Sequence, residues 1–369
     1  MKKTLQLSLL IAVAVSVPLL FSDVSAAECG VEDYQIRRDE IVNTNGAFII
    51  IFEASAPNQE IIIPSIDDTT EYGVIWDGGN ADKYTGDASF TYRTSGPKII
   101  TIEKTFPGIN FEKNLNSAIQ LKEIRAWGDV KWSTMEGAFY GTANMNITAI
   151  DMPDLSNVKN MDRMFAYARS LNADISSWDV SGVTSMEQTF LSAQMFNQPL
   201  NSWDVSSVRN MSGMFANATS FNQDISSWDV SGVTDMSGMF LSASSFNQPL
   251  NLDISSVTDT SDMFNGATSF NQPLQNWNMS SVTDMSSMFA NATSFNQPLY
   301  LWNTASVTNM SNVFNGATSF NSHVGINPDK TNPRQFEYGW NTSAVTDMSG
   351  MFANATSFNK ELRFDTAKV

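Results

Sequence analysis

The chain has 369 residues, a formal net charge of −17, one cysteine and one histidine. So acidic a balance argues against nucleic acid and anionic membrane as partners and suits a soluble, exported protein. A single cysteine excludes an intrachain disulfide and a zinc site of four thiolates, and a single histidine would force any Ser-His-Asp or Cys-His site to use His323.

Residues 1–26 read as a signal peptide. Lys2 and Lys3 form its charged start, Leu9 to Phe21 its apolar run, and Val24-Ser25-Ala26 supplies small residues for cleavage. The apolar run is short for a membrane span, so no membrane insertion is expected once the leader is removed. Glu28 stands directly before Cys29, where a lipid-anchored leader needs a small residue. Residues 27–45 are polar and read as a linker.

Residues 46–106 change to short β-like runs. Phe48 to Phe52, Ile61 to Ile63, Tyr72 to Trp76, Ser89 to Tyr92 and Lys98 to Ile102 are rich in Ile, Val and aromatics. Asp77-Gly78-Gly79, Thr85-Gly86-Asp87 and Ser95-Gly96-Pro97 separate them as turns. A small β-sandwich is expected. Tyr72 to Gly79, then Phe90-Thr91-Tyr92, then Gly96 and Ile99 to Ile102, resemble PKD-like Ig domains. Two departures stand out: Asp77-Gly78-Gly79 replaces the family turn, and Lys98 occupies the place of a tyrosine. Phe106 to Ser133 joins this segment to a repeat array and is expected to cap the array's first apolar face.

From 107 to 369 a motif returns about every 25 residues. Val233-Thr234-Asp235-Met236-Ser237-Gly238-Met239-Phe240 is one copy. Others begin at Trp132, Val158, Val183, Val208, Val257, Val282, Val307 and Val345. The last step holds an insertion at about 322–338. A period of this length signals a stacked array, here an α/β solenoid of leucine-rich-repeat type. Ile225, Trp228 and Val230 follow L-x-x-L-x-L spacing, which predicts a short strand with Asp229 outward. Met236, Met239, Phe240 and Ala243 fall at i, i+3, i+4 and i+7, which predicts a short helix. One unit cannot bury enough surface to stand alone, so stacking is required.

The columns of the array separate core from surface. Met211 and Met236, Phe215 and Phe240, and Trp178, Trp203 and Trp228 read as core. Asn197 and Asn222 belong to an Asn column expected to satisfy turn backbone groups. The outer column Asp179, Asp204, Asp229 and Asp253 supplies weak Ca²⁺ candidates, because strands stack about 4.8 Å apart. No P-loop or H-E-x-x-H occurs, and neither a cofactor nor catalysis is expected. Asp and Glu are plentiful, so carboxylate-based glycoside hydrolysis is a weak alternative, although no spacing singles out a pair.

The motif Phe-Asn-Gln-x-Leu/Ile-x-x-Trp-Asp-Val-Ser-x-Val-Thr-x-Met-x-x-Met-Phe resembles the BspA-like leucine-rich-repeat surface proteins over roughly residues 107–369. That resemblance implies a secreted or cell-surface protein engaged in adhesion, with an extracellular protein or glycan ligand and no catalytic residues. A structural spacer of the cell envelope is the alternative. An ice- or carbohydrate-binding face on Thr219, Thr268, Thr293, Thr318 and Thr356 is another. Phe364 to Val369 reads as the strand of a tenth unit, so the last apolar face is expected to be uncovered and open to self-association. Cleavage after Ala26 predicts a mature protein starting at Ala27, which mass spectrometry of the exported chain checks.

Overall fold

The computed structural model describes residues 46–324, 340–362 and 364–369. The expected leader, the linker, Cys29 and most of the insertion lie outside these residues. The N-terminal part holds eight strands: β1 (Phe48–Ala54), β2 (Gln59–Ile63), β3 (Glu71–Trp76), β4 (Ala81–Thr85), β5 (Ala88–Tyr92), β6 (Gly96–Ile102), β7 (Leu121–Ala126) and β8 (Asn146–Ile147). Six of them form one sheet in the order β4-β3-β6-β1-β7-β8, and β2 pairs with β5. β1 lies inside the sheet and is buried along almost its whole length, which is why it reads as a near-continuous apolar run. β4 pairs only with β3, and its residues are exposed apart from a half-buried Tyr84. This polar edge strand carries no apolar alternation and leaves little trace in the sequence.

Lys98 is only 6% exposed. Its ammonium sits 5.0 Å over the Tyr92 ring and 3.2 Å from Thr94 Oγ1, with Asp77 Oδ2 at 3.8 Å. The cation therefore has a ring face, a hydroxyl and a carboxylate in reach.

The boundary expected at 106/107 is not a break in the sheet. β7 lies beyond it and pairs antiparallel with β1. On its other side β7 pairs parallel with β8, at Glu123↔Asn146 and Ile124↔Ile147. Aromatic packing crosses the same line: Phe48 lies 5.8 Å from Trp127 and 5.3 Å from Trp132, and Trp127 lies 5.3 Å from Trp178. A 3-10 turn (Phe111–Lys113) and one helical turn, α1 (Leu115–Ala118), cover the start of the repeats. Phe111 donates its N–H to Gly137 O, and Asn144 Nδ2 donates to Ile119 O.

The described residues of the repeats contain no helix. In the unit Phe221 to Ser245, the segment predicted as a helix is a run of tight turns laid out as a ladder. Met236, Gly238, Phe240 and Ser242 donate their N–H groups to Asp259, Ser261, Met263 and Asn265 of the next unit, at 2.6 to 3.1 Å. Met239, Leu241 and Ala243 donate back three residues, to Met236, Gly238 and Phe240. Ser237 donates to Asp235 Oδ1. Every N–H from Met236 to Ala243 is thereby paired, half of them to a neighbour. An α-helix would have aimed its N–H groups along its own axis, to carbonyls four residues back, and not at a neighbouring unit.

Two left-handed residues per unit make this layout, with Gly238 at φ 58° and Ser242 at φ 56°. The same pair recurs four residues apart as Gly137 and Gly141, Gly213 and Asn217, Asp262 and Gly266, and Gly350 and Asn354. Tight turns of this form still place i, i+3, i+4 and i+7 on one side. Met236, Met239, Phe240 and Ala243 are all fully buried, so the apolar face is that of the helix prediction while the backbone is not. The strand predicted at Trp228 to Val230 is likewise two turns, closed by Trp228 N–H to Ile225 O and Val233 N–H to Val230 O. Parallel pairing narrows to single bridges in the series Asn160↔Ser185↔Asn210↔Asp235↔Asp259↔Asp284↔Asn309↔Asp347.

Side chains stack in step with the backbone. Phe240 lies 5.8 Å from Phe215 and 5.7 Å from Phe264, with ring planes within 8°, and 3.9 Å from Phe246 of the second Phe column. Phe240→Ala empties a site held on three sides by rings that cannot all close in. It should cost about 3–5 kcal/mol in chemical unfolding, while far-UV circular dichroism of the native chain should lack a helical minimum.

Candidate binding surface

Each polar column has a defined use. Asp179, Asp204 and Asp229 are exposed, and each Oδ1 accepts the N–H and the hydroxyl of the serine two residues on, at 3.1 and 2.6 to 2.7 Å. Among the described residues Asp253 accepts only the Ser255 N–H, at 3.0 Å. Asn278, Asn303 and Asn341 continue the column with the same N–H contact to residue i+2. The serine hydroxyls, then the backbone N–H groups, hold Asp179, Asp204 and Asp229 below the usual carboxylate range. Asp204 also feels its neighbours Asp179 and Asp229, which push the other way. Asp154, at the start of the row, pairs with Lys131 and is drawn down to about 2, mainly by that contact. The weak Ca²⁺ candidates thus form a row of carboxylates, each with one oxygen committed to its own turn. Among the described residues no group of three or more His, Cys, Asp or Glu side chains is placed to hold a metal ion.

The Asn column sits at the bend between units. Asn197 N–H donates to Asn172 Oδ1, Asn222 N–H to Asn197 Oδ1 and Asn247 N–H to Asn222 Oδ1, each at 2.9 Å. Gln223 Nε2 adds a bond to Asn197 Oδ1 at 3.0 Å. A second ladder joins Thr184, Thr234, Thr258 and Thr283, whose hydroxyls donate to carbonyls of the preceding unit. The other Thr column is more loosely held: Thr219, Thr268 and Thr293 reach preceding-unit carbonyls at 3.4 to 3.5 Å. Met211, Met236, Phe215, Phe240, Trp178, Trp203 and Trp228 are buried. Trp203 and Trp228 also donate their indole N–H to Ile175 O and Leu200 O one unit back. His323 is half-buried, and its carbonyl accepts the Leu299 N–H.

One irregularity of the array opens a concavity. The unit from Val233 to Val257 is one residue short, and Leu252 stands where the flanking units carry Trp228 and Trp277. The two-residue turn that precedes Trp178, Trp203, Trp228, Trp277 and Trp302 is missing there. A groove of about 470 Å³ opens beside it, lined by 250–254 and 273–278. The signal was legible in the sequence as the only 24-residue step and as a gap in the Trp series.

The chain belongs to the repeat family described as "Mycoplasma protein of unknown function, DUF285", whose model matches residues 133–252, 250–338 and 327–369. No curated protein and no solved structure matches.

The aspartate turns carry a pH signature. Their native pKa values lie below the ordinary 3.8, so their stabilisation is complete above that value and is lost as pH falls through the lower native ones. The melting temperature should hold down to about pH 4 and fall below it. A variant combining Asp179→Asn, Asp204→Asn and Asp229→Asn should flatten that fall, since Asn makes the same turn contact at Asn278. Thermal melts across the acid range check both.

Proposed function

We propose that the chain is a secreted or cell-surface repeat protein that binds an extracellular protein or glycan and performs no catalysis. In this reading the array is a solenoid of leucine-rich-repeat type, and a PKD-like sandwich precedes it. The single observation that carries it is where the array tolerates change. From the first residue of each motif to the next column residue the distance is constant, as in Val158 to Leu171, Val233 to Phe246 and Val345 to Phe358. That side contains the ladder.

All variation in length falls on the opposite arc. Leu171 to Val183 is the ordinary length, Met145 to Val158 is one residue longer, and Phe246 to Val257 is one shorter. The insertion at 322–338 lies in the same arc, between Phe320 and Val345. A constant scaffold with variation confined to one arc is the arrangement of proteins that recognise ligands through loops on a rigid frame. The acidic charge, the leader reading and the resemblance to BspA-like surface proteins support export. The parallel bridges between successive units support the solenoid reading.

The test is a binding screen of the purified chain against extracellular-matrix proteins and glycans. Saturable binding to at least one, weakened by the triple substitution of Asp179, Asp204 and Asp229 on the arc, is the expected result. A chain that binds nothing, while still holding surface components together when deleted or shortened in cells, would instead be a spacer.

A further inference from the structure

We propose that the groove beside the short unit is a binding site for a neutral saccharide of one or two rings. The inference deepens the proposed function, since it rests on a ligand-binding array and names a ligand class and a place for it. Its starting point is a contrast. Before Trp203 and Trp228 stands a serine tied to the preceding unit, Ser202 Oγ donating to Ser176 O and Ser227 Oγ to Asn201 O, and Ser281 Oγ donates likewise to Ser255 O. At the groove this series is interrupted. Asn251, Gln275 and Asn276 make no side-chain hydrogen bond within the described residues, and Asp253 keeps Oδ2 unpartnered. Three amides and half a carboxylate are left unengaged around one concavity.

The loss of one residue explains the geometry. The flanking units run Leu274-Gln275-Asn276-Trp277 and Ile225-Ser226-Ser227-Trp228, each closed by a turn bond from the Trp N–H to the first carbonyl. The short unit passes directly from Leu250 through Asn251 and Leu252 to Asp253 without that bond. Its backbone cuts the corner, and the turn of the next unit is left standing beside a hollow. The hollow is floored by Leu252, Ile254 and Trp277, the last held by its indole N–H on Leu250 O at 2.9 Å. Ile225 O would receive an indole N–H in an unbroken series; among the described residues it accepts only the Trp228 N–H.

A ligand for this site must offer hydroxyls that both donate and accept. The amide groups provide both functions and Asp253 accepts only. It must also present an apolar C–H face to a floor of Leu, Ile and Trp, as pyranose rings do. The lining holds no Lys, Arg or His and carries one carboxylate, so phosphorylated and acidic sugars are disfavoured. A volume of about 470 Å³ is of the size expected for small-ligand clefts.

The test uses the full chain on an array of neutral mono- and disaccharides, followed by calorimetric titration of each hit. Asp253→Ala and Asn276→Ala, both on the surface, should each raise Kd by about tenfold or more, the loss expected for a hydrogen bond to a charged or otherwise unpaired group. Asp82→Ala, on the exposed edge strand β4 and outside the array, should leave Kd unchanged. Replacing Leu252 by the Ser-Trp pair of the ordinary unit should fill the groove, abolish binding and leave the melting temperature equal or higher. Sugar binding untouched by all three groove variants would overturn the groove and leave the binding-array reading standing. No neutral sugar bound, or only peptide bound, would also overturn it. Failure of every sugar and every matrix protein would sink both.

Discussion

Everything in the array depends on how its peptide groups are paired between neighbours. A segment of eight residues sends alternate N–H groups outward to the next unit and turns the others back on its own backbone or on the Asp235 carboxylate. No group is left over, so the backbone carries no desolvation penalty along the buried seam. That arrangement needs a left-handed residue every fourth position, and Gly, Asn, Ser and Asp occupy most of these places because their backbones reach that region most readily. The Phe, Met and Trp columns follow as a consequence. Once the backbone repeats at a fixed spacing, identical side chains in successive units stack on one another.

Much of this is legible in the amino-acid order alone. Strands β1, β2, β3, β5 and β6 lie where runs of Ile, Val and aromatics place them, and the periodic columns separate buried from exposed side chains. The helix prediction fails for a physical reason. A chain of tight turns and a helix both bring positions i, i+3, i+4 and i+7 to one side, so apolar periodicity does not distinguish them. The distinguishing mark is the recurrence of Gly238 and Ser242, Gly213 and Asn217, and Gly137 and Gly141 at a four-residue interval, which no helix interior would choose.

Two further features are hidden from any local reading. β4 is polar because it is an edge strand with water on most sides, and only its partner β3 betrays it. β7 looks like the first line of the repeats, and it is. It is also the neighbour of β1, a relation between residues some seventy positions apart that no window along the chain contains. The groove at 250–254 is the reverse case. Its signal is fully present as a missing residue and a missing Trp, but a deviation acquires meaning only when the regular unit is understood in three dimensions.

The double membership of β7 gives the molecule an order of assembly. β1 and β6 precede β7 in the chain, so these three neighbours are all present once Ala126 has been made. β7 then offers a finished edge to residues 146–147, and each later unit meets a neighbour already in place, only about one period behind it. Loops of that length close at small entropic cost. No unit has to wait for a partner from the far end of the sequence. A chain built this way can wind up from its first strand as it is synthesised, each turn serving as the template for the next.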